Sequence, residues 1–237
     1  MEPVSDDEVA YWDRWNATHR RPEALDQVSL DQSRAVHAAI GRLARTDLRV
    51  LDIGCGTGWL VDELLRYGSV TGIDVSRDVI AEARRRTPRA TFLSGDVLAG
   101  ELPSGAFDCI VSLETLPHVS DQGAFMRELR RLVVPGGLIV LAVQNGAVLG
   151  KHGRVPDQDP RVRRRWPTPE SLRELAGQAG TVVSLRTITP QGDASWRRVF
   201  TSKKLRDALG PVGLRWHAHL ERIGWGRTLV VEIRADA

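Results

Sequence analysis

Cysteine is scarce in this chain, with two in 237 residues, Cys55 and Cys109. Both fall inside aliphatic segments, so there is no disulfide framework and no metal-ligand spacing, and the pair suits a reducing compartment. An excess of charge is lacking too: 33 Lys+Arg against 30 Asp+Glu leave a formal +3. That is too little to argue for a nucleic-acid partner. No apolar run approaches the ~18 residues that span a bilayer, and the opening MEPVSDDEVA lacks the basic and apolar regions of a signal peptide. Repeats and low-complexity tracts are absent. These gaps lead us to expect a cytoplasmic protein with no membrane partner, acting as a monomer or homodimer. With 42% hydrophobic residues, the chain can bury a sizeable core as one domain over 1–237.

What is present is alternation. SDDEVAYWDRWNATHR (5–20) and residues 30–45 read as helices. LRVLDIG then reads as a buried strand, followed by a helix over WLVDELLRY (59–67) and a strand from Ser69 in SVTGIDVS. A helix from Ser76 to about Thr87 ends before Pro88. Strands follow at 90–96 and 106–115, then a helix at 121–132 stopped by PGG at 135–137, and a strand at 138–144. The order β-α-β-α-β-β-α-β with short connections predicts a parallel sheet covered on both faces. Beyond 145 the regularity breaks. Residues 146–167 read as loop, 168–180 as a helix capped by Thr168 or Ser171, 181–189 as a strand, 190–224 as mixed, and 227–235 as a last strand completing an antiparallel hairpin.

LDIGCGTGWL (51–60) places Gly54, Gly56 and Gly58 at the end of the first strand. In a doubly wound sheet ligands bind there, beside the point where strand order reverses. Glycine admits positive φ and brings a ligand close to the backbone, and the following helix start aims free N–H groups outward. A dinucleotide turn needs G-x-G-x-x-G; here the spacing is G-x-G-x-G. Asp52, two residues before Gly54, suits a cationic or amine-bearing ligand better than a pyrophosphate, which it would repel. Asp74, in GIDVS, can accept both hydroxyls of a ribose. Asp96 closes the third strand in SGDV.

LDIGCGTG, GIDVS, SGDV, FDCIVSLETLPHV and VPGGLIVLAV resemble, in order and spacing, the motifs of class I S-adenosylmethionine-dependent methyltransferases over about residues 48–145. The resemblance implies an α/β, Rossmann-like sheet of seven strands, mostly parallel with the last reversed. It divides the chain into an N-terminal helical lid (1–45), a cofactor-binding core (46–145) and substrate-side loops and final strands (146–237). It also implies S-adenosylmethionine as cofactor. Gly54, Cys55, Gly56 and Gly58 would admit its methionine part, with Asp52 near the amino end. Asp74 would hold the ribose, Asp96 and the Val97 backbone the adenine, and Leu113 with Glu114 the region of the sulfonium. Ile53 and Val75 would be apolar walls, and Trp59 a packing residue.

His118, in LETLPHV, lies just past the fourth strand and is the best candidate base, since an unperturbed imidazole titrates near ~6.5. His152, His217, His219 and Glu221 are further candidates. Tyr11 and Trp15 share a helical face, so Tyr11, Trp12 and Trp15 would close the cofactor pocket, with Trp15 and Arg20 on the cofactor side and Arg20 meeting a carboxylate. Tyr11, Trp12, His118, Gln144, His152, Trp166 and Glu221 would line the acceptor side. The late aromatic and cationic residues Trp196, Arg197, Arg198, Lys203, Lys204, Trp216 and Trp225, and the basic run RVRRRW (161–166), suit a sugar, phosphate or carboxylate. No Asp/Asn-Pro-Pro-aromatic motif of DNA amine methyltransferases follows the fourth strand. Gln144 and Asn145 form an amide pair, which is no metal site. The expected reaction is methylation of a small-molecule hydroxyl on a sugar or secondary metabolite. The alternatives are a quinone-ring or other natural-product C- or N-methyltransferase, or a cofactor-binding protein without turnover.

Calorimetric titration should therefore show binding of S-adenosylmethionine and S-adenosylhomocysteine but not of NAD. Asp74→Ala should weaken the first two by roughly tenfold or more, the cost of a charge-assisted hydrogen bond. Equal affinity in the variant would remove Asp74 from the site.

Overall fold

A computed structural model describes residues 9–12, 14, 25–149, 164–190 and 199–236, Lys203 by its backbone alone. Seven strands form one sheet: β1 (Leu48–Ile53), β2 (Gly68–Asp74), β3 (Thr91–Ser94), β4 (Phe107–Leu113), β5 (Val133–Gln144), β6 (Thr181–Pro190) and β7 (Gly226–Arg234), in the order β3-β2-β1-β4-β5-β7-β6. The first five run parallel to their neighbours, and β7 lies antiparallel between β5 and β6. The chain therefore builds outward from β1 to β3, then returns to the other side of β1 as β4. β1 and β4, paired up to Ile53 and Ser112, meet at that switch.

Helices cover both faces. On one lie α1 (Gln27–Gly41), α2 (Val61–Leu64) and α3 (Arg77–Arg86), whose Val36, Ile40, Leu64, Ile80 and Ala83 pack on Val50, Val70, Val111, Val140 and Val230. On the other lie α4 (Gln122–Leu132) and, beyond the short α5 (Gly146–Leu149), α6 (Pro169–Ala176). Phe125, Leu129 and Leu172 there meet Ile53, Ile110, Leu141 and Val231. α7 (Lys203–Ala208) and α8 (Gly210–Arg222) precede β7.

Local chemistry explains the boundaries. Ser76 caps α3 through Val79 N, and Arg84, Arg85 and Arg86 occupy its last turn, complementing the helix dipole at the negative end. Thr168 is the cap of α6, and Ser171 completes a reciprocal capping box with it. Helix α1 starts at Gln27 rather than at residue 30, because the Asp26 carboxylate accepts from Ser29 N. Three successive side chains of α1 reach three elements: Thr189 donates to Asp31, Gln32 donates to Glu114, and Ser33 donates to Glu63.

The structure corrects three further expectations. PGG does not stop a helix. Helix α4 ends at Leu132, and β5 begins at once at Val133, carrying Pro135, Gly136 and Gly137 inside it. The pairing with β4 shifts register between Phe107 and Cys109, and Gly136 takes φ +71°. The 59–67 segment is shorter as a helix, with Val61–Leu64 followed by a 3-10 turn at Leu65–Tyr67. Part of the expected 146–167 loop is α5, whose Ala147 N donates to the Asn145 side chain. The mixed stretch contains α7 and α8.

Glu232 of β7 is 3% exposed and lies on the face covered by α1. Arg42 and Arg186 both donate to it. Their outer atoms reach water, with side-chain exposures of 57% and 36%, so losing one guanidinium leaves the other to compensate. Chemical denaturation of Arg42→Ala should show a loss of about 1 kcal/mol or less, in line with an exposed pair. The double variant Arg42→Ala/Arg186→Ala strands a buried carboxylate and should cost about 3–5 kcal/mol.

Candidate active site

The glycine turn at the end of β1 is built by close packing. Gly54, Gly56 and Gly58 take φ of +73°, +53° and +74°. A Cβ on Gly54 would lie 2.0 Å from Thr115 Oγ1, which leaves no room for one, and a Cβ on Gly58 would press on the Phe92 ring at 3.1 Å in a backbone conformation that side chains rarely adopt. Thr115 Oγ1 and Ser112 Oγ both donate to Ile53 O at 3.0 Å, tying the end of β4 to the end of β1. Gly54 N and Cys55 N donate to Ile73 O of β2. The Cys55 thiol turns inward, where a Cβ on Gly72 would come within 2.8 Å of it, and burial raises its pKa well above the usual range. Only the Cys55 backbone faces the turn's ligand side. Ile53 is 2% exposed and packs in the core, so it is not the open apolar wall expected of it. Val75 and Leu113 remain half-buried at the strand ends, and Trp59 packs against the α1 side of the core as expected.

Carboxylates end or follow three adjacent strands of the sheet here, Asp52 on β1, Asp74 on β2 and Asp96 just past β3. Asp74 Oδ2 accepts from Gly56 N at 2.9 Å and Oδ1 from Ser76 N at 3.0 Å, so one side chain fixes both the glycine turn and the entry to α3. Asp96 Oδ1 accepts from Leu98 N, capping the 3-10 turn Val97–Ala99, and Val97 itself is buried. Asp52 is 3% exposed. Burial, and then the neighbouring Asp74 charge, push its pKa up to about 7, and no hydrogen bond contributes to offset them. A buried carboxylate so placed fits a ligand ammonium, which supplies the missing counter-charge. Together with a turn open to close backbone approach, this donor set fits an aminoacyl nucleoside such as S-adenosylmethionine.

Past β4, Glu114 adopts φ +59°, a left-handed conformation unusual for a side-chain-bearing residue. Gln32 Nε2 donates to its Oε1 at 2.5 Å. Glu114 N bonds Ala142 O of β5. Leu116–His118 form a 3-10 turn, and the His118 ring meets Trp12 edge-on, with centroids 4.4 Å apart. Tyr11 packs against Trp12 and accepts a hydrogen bond from Arg164 Nη2 at 2.5 Å. Arg165 N in turn donates to Pro117 O, and Gln122 Nε2 bridges Leu116 O and Arg165 O. The structure thus brings Tyr11, Trp12, His118 and Arg164 together over the end of β4.

Other expected residues stand apart from this group. Gln144 ends β5 opposite Thr228, and half-buried Trp166 anchors its segment against Gly146. Glu221 lies on α8, where its carbonyl accepts from Thr187; burial first, and then Asp31, raise its carboxyl pKa. His217, one of the further base candidates, is 8% exposed, and burial, then Arg206, lower its pKa. Trp15, Arg20, His152, Trp196, Arg197 and Arg198 lie outside the described residues. Sequence reading missed Gln32, Ser112 and Thr115 as site builders, and it gave Arg164, within RVRRRW, to an acceptor group rather than to Tyr11. Of the three missed, Thr115 and Ser112, inside the quoted SLETLPHV stretch, carried a signal. No cluster of metal-ligating side chains occurs among the described residues.

Comparison with known proteins agrees with this geometry. Residues 51–141 match the family described as methyltransferase domain. An uncharacterized methyltransferase of Mycobacterium bovis is 32% identical over 143 residues, 53% of this chain and 73% of that protein. A ubiquinone biosynthesis O-methyltransferase of Caulobacter sp. is 28% identical over 81% of this chain and 72% of its own length. A 2-methyl-6-phytyl-1,4-hydroquinone methyltransferase of Synechocystis sp. is 42% identical over 40% of this chain, which spans 32% of that protein. The solved S-adenosylmethionine-dependent methyltransferase from Mesorhizobium loti shares the fold, with a TM-score of 0.60 at 20% identity over 83% of this chain and 96% of that one.

A raised Asp52 pKa makes cofactor affinity depend on pH. In the free protein the carboxyl is protonated below about 7, whereas an ammonium partner favours its ionised form. Affinity for S-adenosylhomocysteine should therefore climb as pH rises toward 7, by about tenfold per unit at the steepest, with proton release on binding. Stability of the free protein runs the other way, because a raised acid contributes most below its unfolded pKa and loses that contribution as pH passes about 7. Asp52→Asn should flatten both profiles. Titrations in buffers of different ionisation enthalpy measure the proton count, and a wild-type count of zero at pH 6 would refute the linkage.

Proposed function

The chain belongs to the class I S-adenosylmethionine-dependent methyltransferases, and from that premise we propose that it methylates a hydroxyl of a small aromatic acceptor of the hydroquinone or polyphenol type. The observation that carries this reading is the Trp12–His118 pair over the end of β4, an imidazole held edge-on by an indole. The two quinone-pathway relatives support a ring of this class. A sugar or other secondary-metabolite hydroxyl, the expectation from sequence, would meet the same indole and is the second acceptor class to screen.

When bound, S-adenosylmethionine supplies an electrophilic methyl group on a sulfonium that departs as a neutral thioether. Asp52 would hold its ammonium, Asp74 its ribose, and Asp96 with the Val97 backbone its adenine. Glu114, pinned by Gln32, would border the sulfonium region, where a fixed carboxylate favours positive charge. His118 Nδ1 is buried, which leaves Nε2 to take the proton from the acceptor hydroxyl as its oxygen gains the methyl carbon. Tyr11 and Trp12, latched by Arg164, would cover the acceptor and exclude water, so alignment of the reacting groups supplies much of the rate.

His118→Ala should lower kcat on a hydroquinone-type acceptor by roughly 10²–10⁴-fold, the usual contribution of a positioned base, while S-adenosylhomocysteine affinity stays level. Steady-state kinetics with hydroquinones, catechols and glycosides tests both points. Undiminished turnover in the variant would reduce His118 to a wall, and turnover confined to glycosides would replace the aromatic acceptor with a sugar.

A further inference from the structure

Helix α8 carries an apolar stripe that stands exposed among the described residues. Its inner face is Gly213, His217 and Leu220, the buried positions. Next to that face, at i, i+3, i+7 and i+14, stand Leu209, Val212, Trp216 and Ile223, with exposures of 46%, 66%, 38% and 49%. At 100° per residue these four fall within one narrow strip of the helix and its two flanking residues. Phe200 extends the strip, its ring 6.0 Å from that of Trp216, and Trp216 Nε1 is fixed on Phe200 O. Along the strip's outer side, at i and i+7, run the exposed Arg215 and Arg222, and exposed Lys204 stands on α7. Between residues 199 and 223 the sequence holds Lys203, Lys204, Arg206, Arg215 and Arg222 against Asp207 and Glu221. Glu221 is half-buried, and Asp207 is paired with Arg206.

We infer that this stripe is a docking surface for an anionic phospholipid bilayer, on which α8 lies flat. An interfacial helix needs an apolar strip with an aromatic at its border and cations that reach the headgroups beside it. Leu209, Val212, Trp216 and Ile223 supply the strip, and Arg215, Arg222 and Lys204 supply the cations, each worth about 1 kcal/mol near an anionic surface. A second copy of the chain fits less well. A strip one helix wide falls short of the ~800 Å² per partner of a stable interface, and it would bring like charges together. The absence of a membrane-spanning helix among the described residues leaves this peripheral mode untouched. Because α8 leads directly into β7, the bilayer would lie beside the strand ends that carry the acceptor side of the site. The inference does not depend on which acceptor is used.

Co-sedimentation of the full chain with phosphatidylcholine vesicles, with and without phosphatidylglycerol, tests the inference. Binding should require the anionic lipid and weaken with salt. Val212→Glu/Ile223→Glu should reduce the vesicle-bound fraction at least tenfold, and Arg215→Glu/Arg222→Glu should do the same. Leu214→Glu, an equally exposed apolar residue on the other side of α8 (60%), should leave it unchanged. Each variant is matched to the parent for S-adenosylhomocysteine binding. Absence of binding to the anionic vesicles, or an equal loss in Leu214→Glu, would overturn the inference. A dimer in sedimentation velocity that Val212→Glu/Ile223→Glu dissociates would give the stripe to a second copy instead.

Discussion

The site depends on one close approach, that of Thr115 to the glycine turn. Its hydroxyl sits where a side chain at Gly54 would begin and donates to the last carbonyl of β1. This contact ties the residues after β4 to the last residue of β1, with which β4 stays paired up to Ser112. Everything on the ligand side is measured from it. Asp52 is sealed beneath the turn, Asp74 braces the turn from β2, and the left-handed Glu114 follows from a strand that must bend away immediately after meeting the glycines. The strain at Glu114 is held by Gln32 and by Ala142 O, consistent with the rule that unusual backbone survives only where surrounding bonds fix it.

The electrostatics follow from the same packing. Two carboxylates one strand apart, at the ends of β1 and β2, would repel each other in any protein. Here one is solvated by backbone N–H groups and the other is not. Asp74 receives two amides, whereas Asp52 receives burial. The unequal treatment divides the pair into an anchor that shapes the turn and a latent charge that appears when a cation arrives.

Much of this was legible in the residues. Short aliphatic runs cut by glycine at regular intervals can only make a covered parallel sheet, and the alternate glycines with Asp52, Asp74 and Asp96 mark its ligand edge. The reversed hairpin also followed from the element order after Gln144. What the sequence did not disclose lay in long-range partners. Gln32 is one polar residue among several on an amphipathic helix, and nothing local says that it meets Glu114 across 82 positions. Arg164 sat in a basic run expected to meet an acceptor group, and nothing local says that it meets Tyr11 across 153 positions. The PGG error had a different origin: glycine and proline mark a break in direction, and a register shift inside a paired strand satisfies that mark as well as a helix end does.

Asp31, Gln32 and Ser33 of α1 tie respectively to the end of β6, the end of β4 and α2, so one turn of helix spans the sheet like a crossbar. Widening the crevice at either side would therefore break these hydrogen bonds, each worth about 1 kcal/mol. A descendant of this chain that takes a larger acceptor would gain room at least cost at the rim, beside Tyr11 and Trp12, where the crossbar can stay as it is.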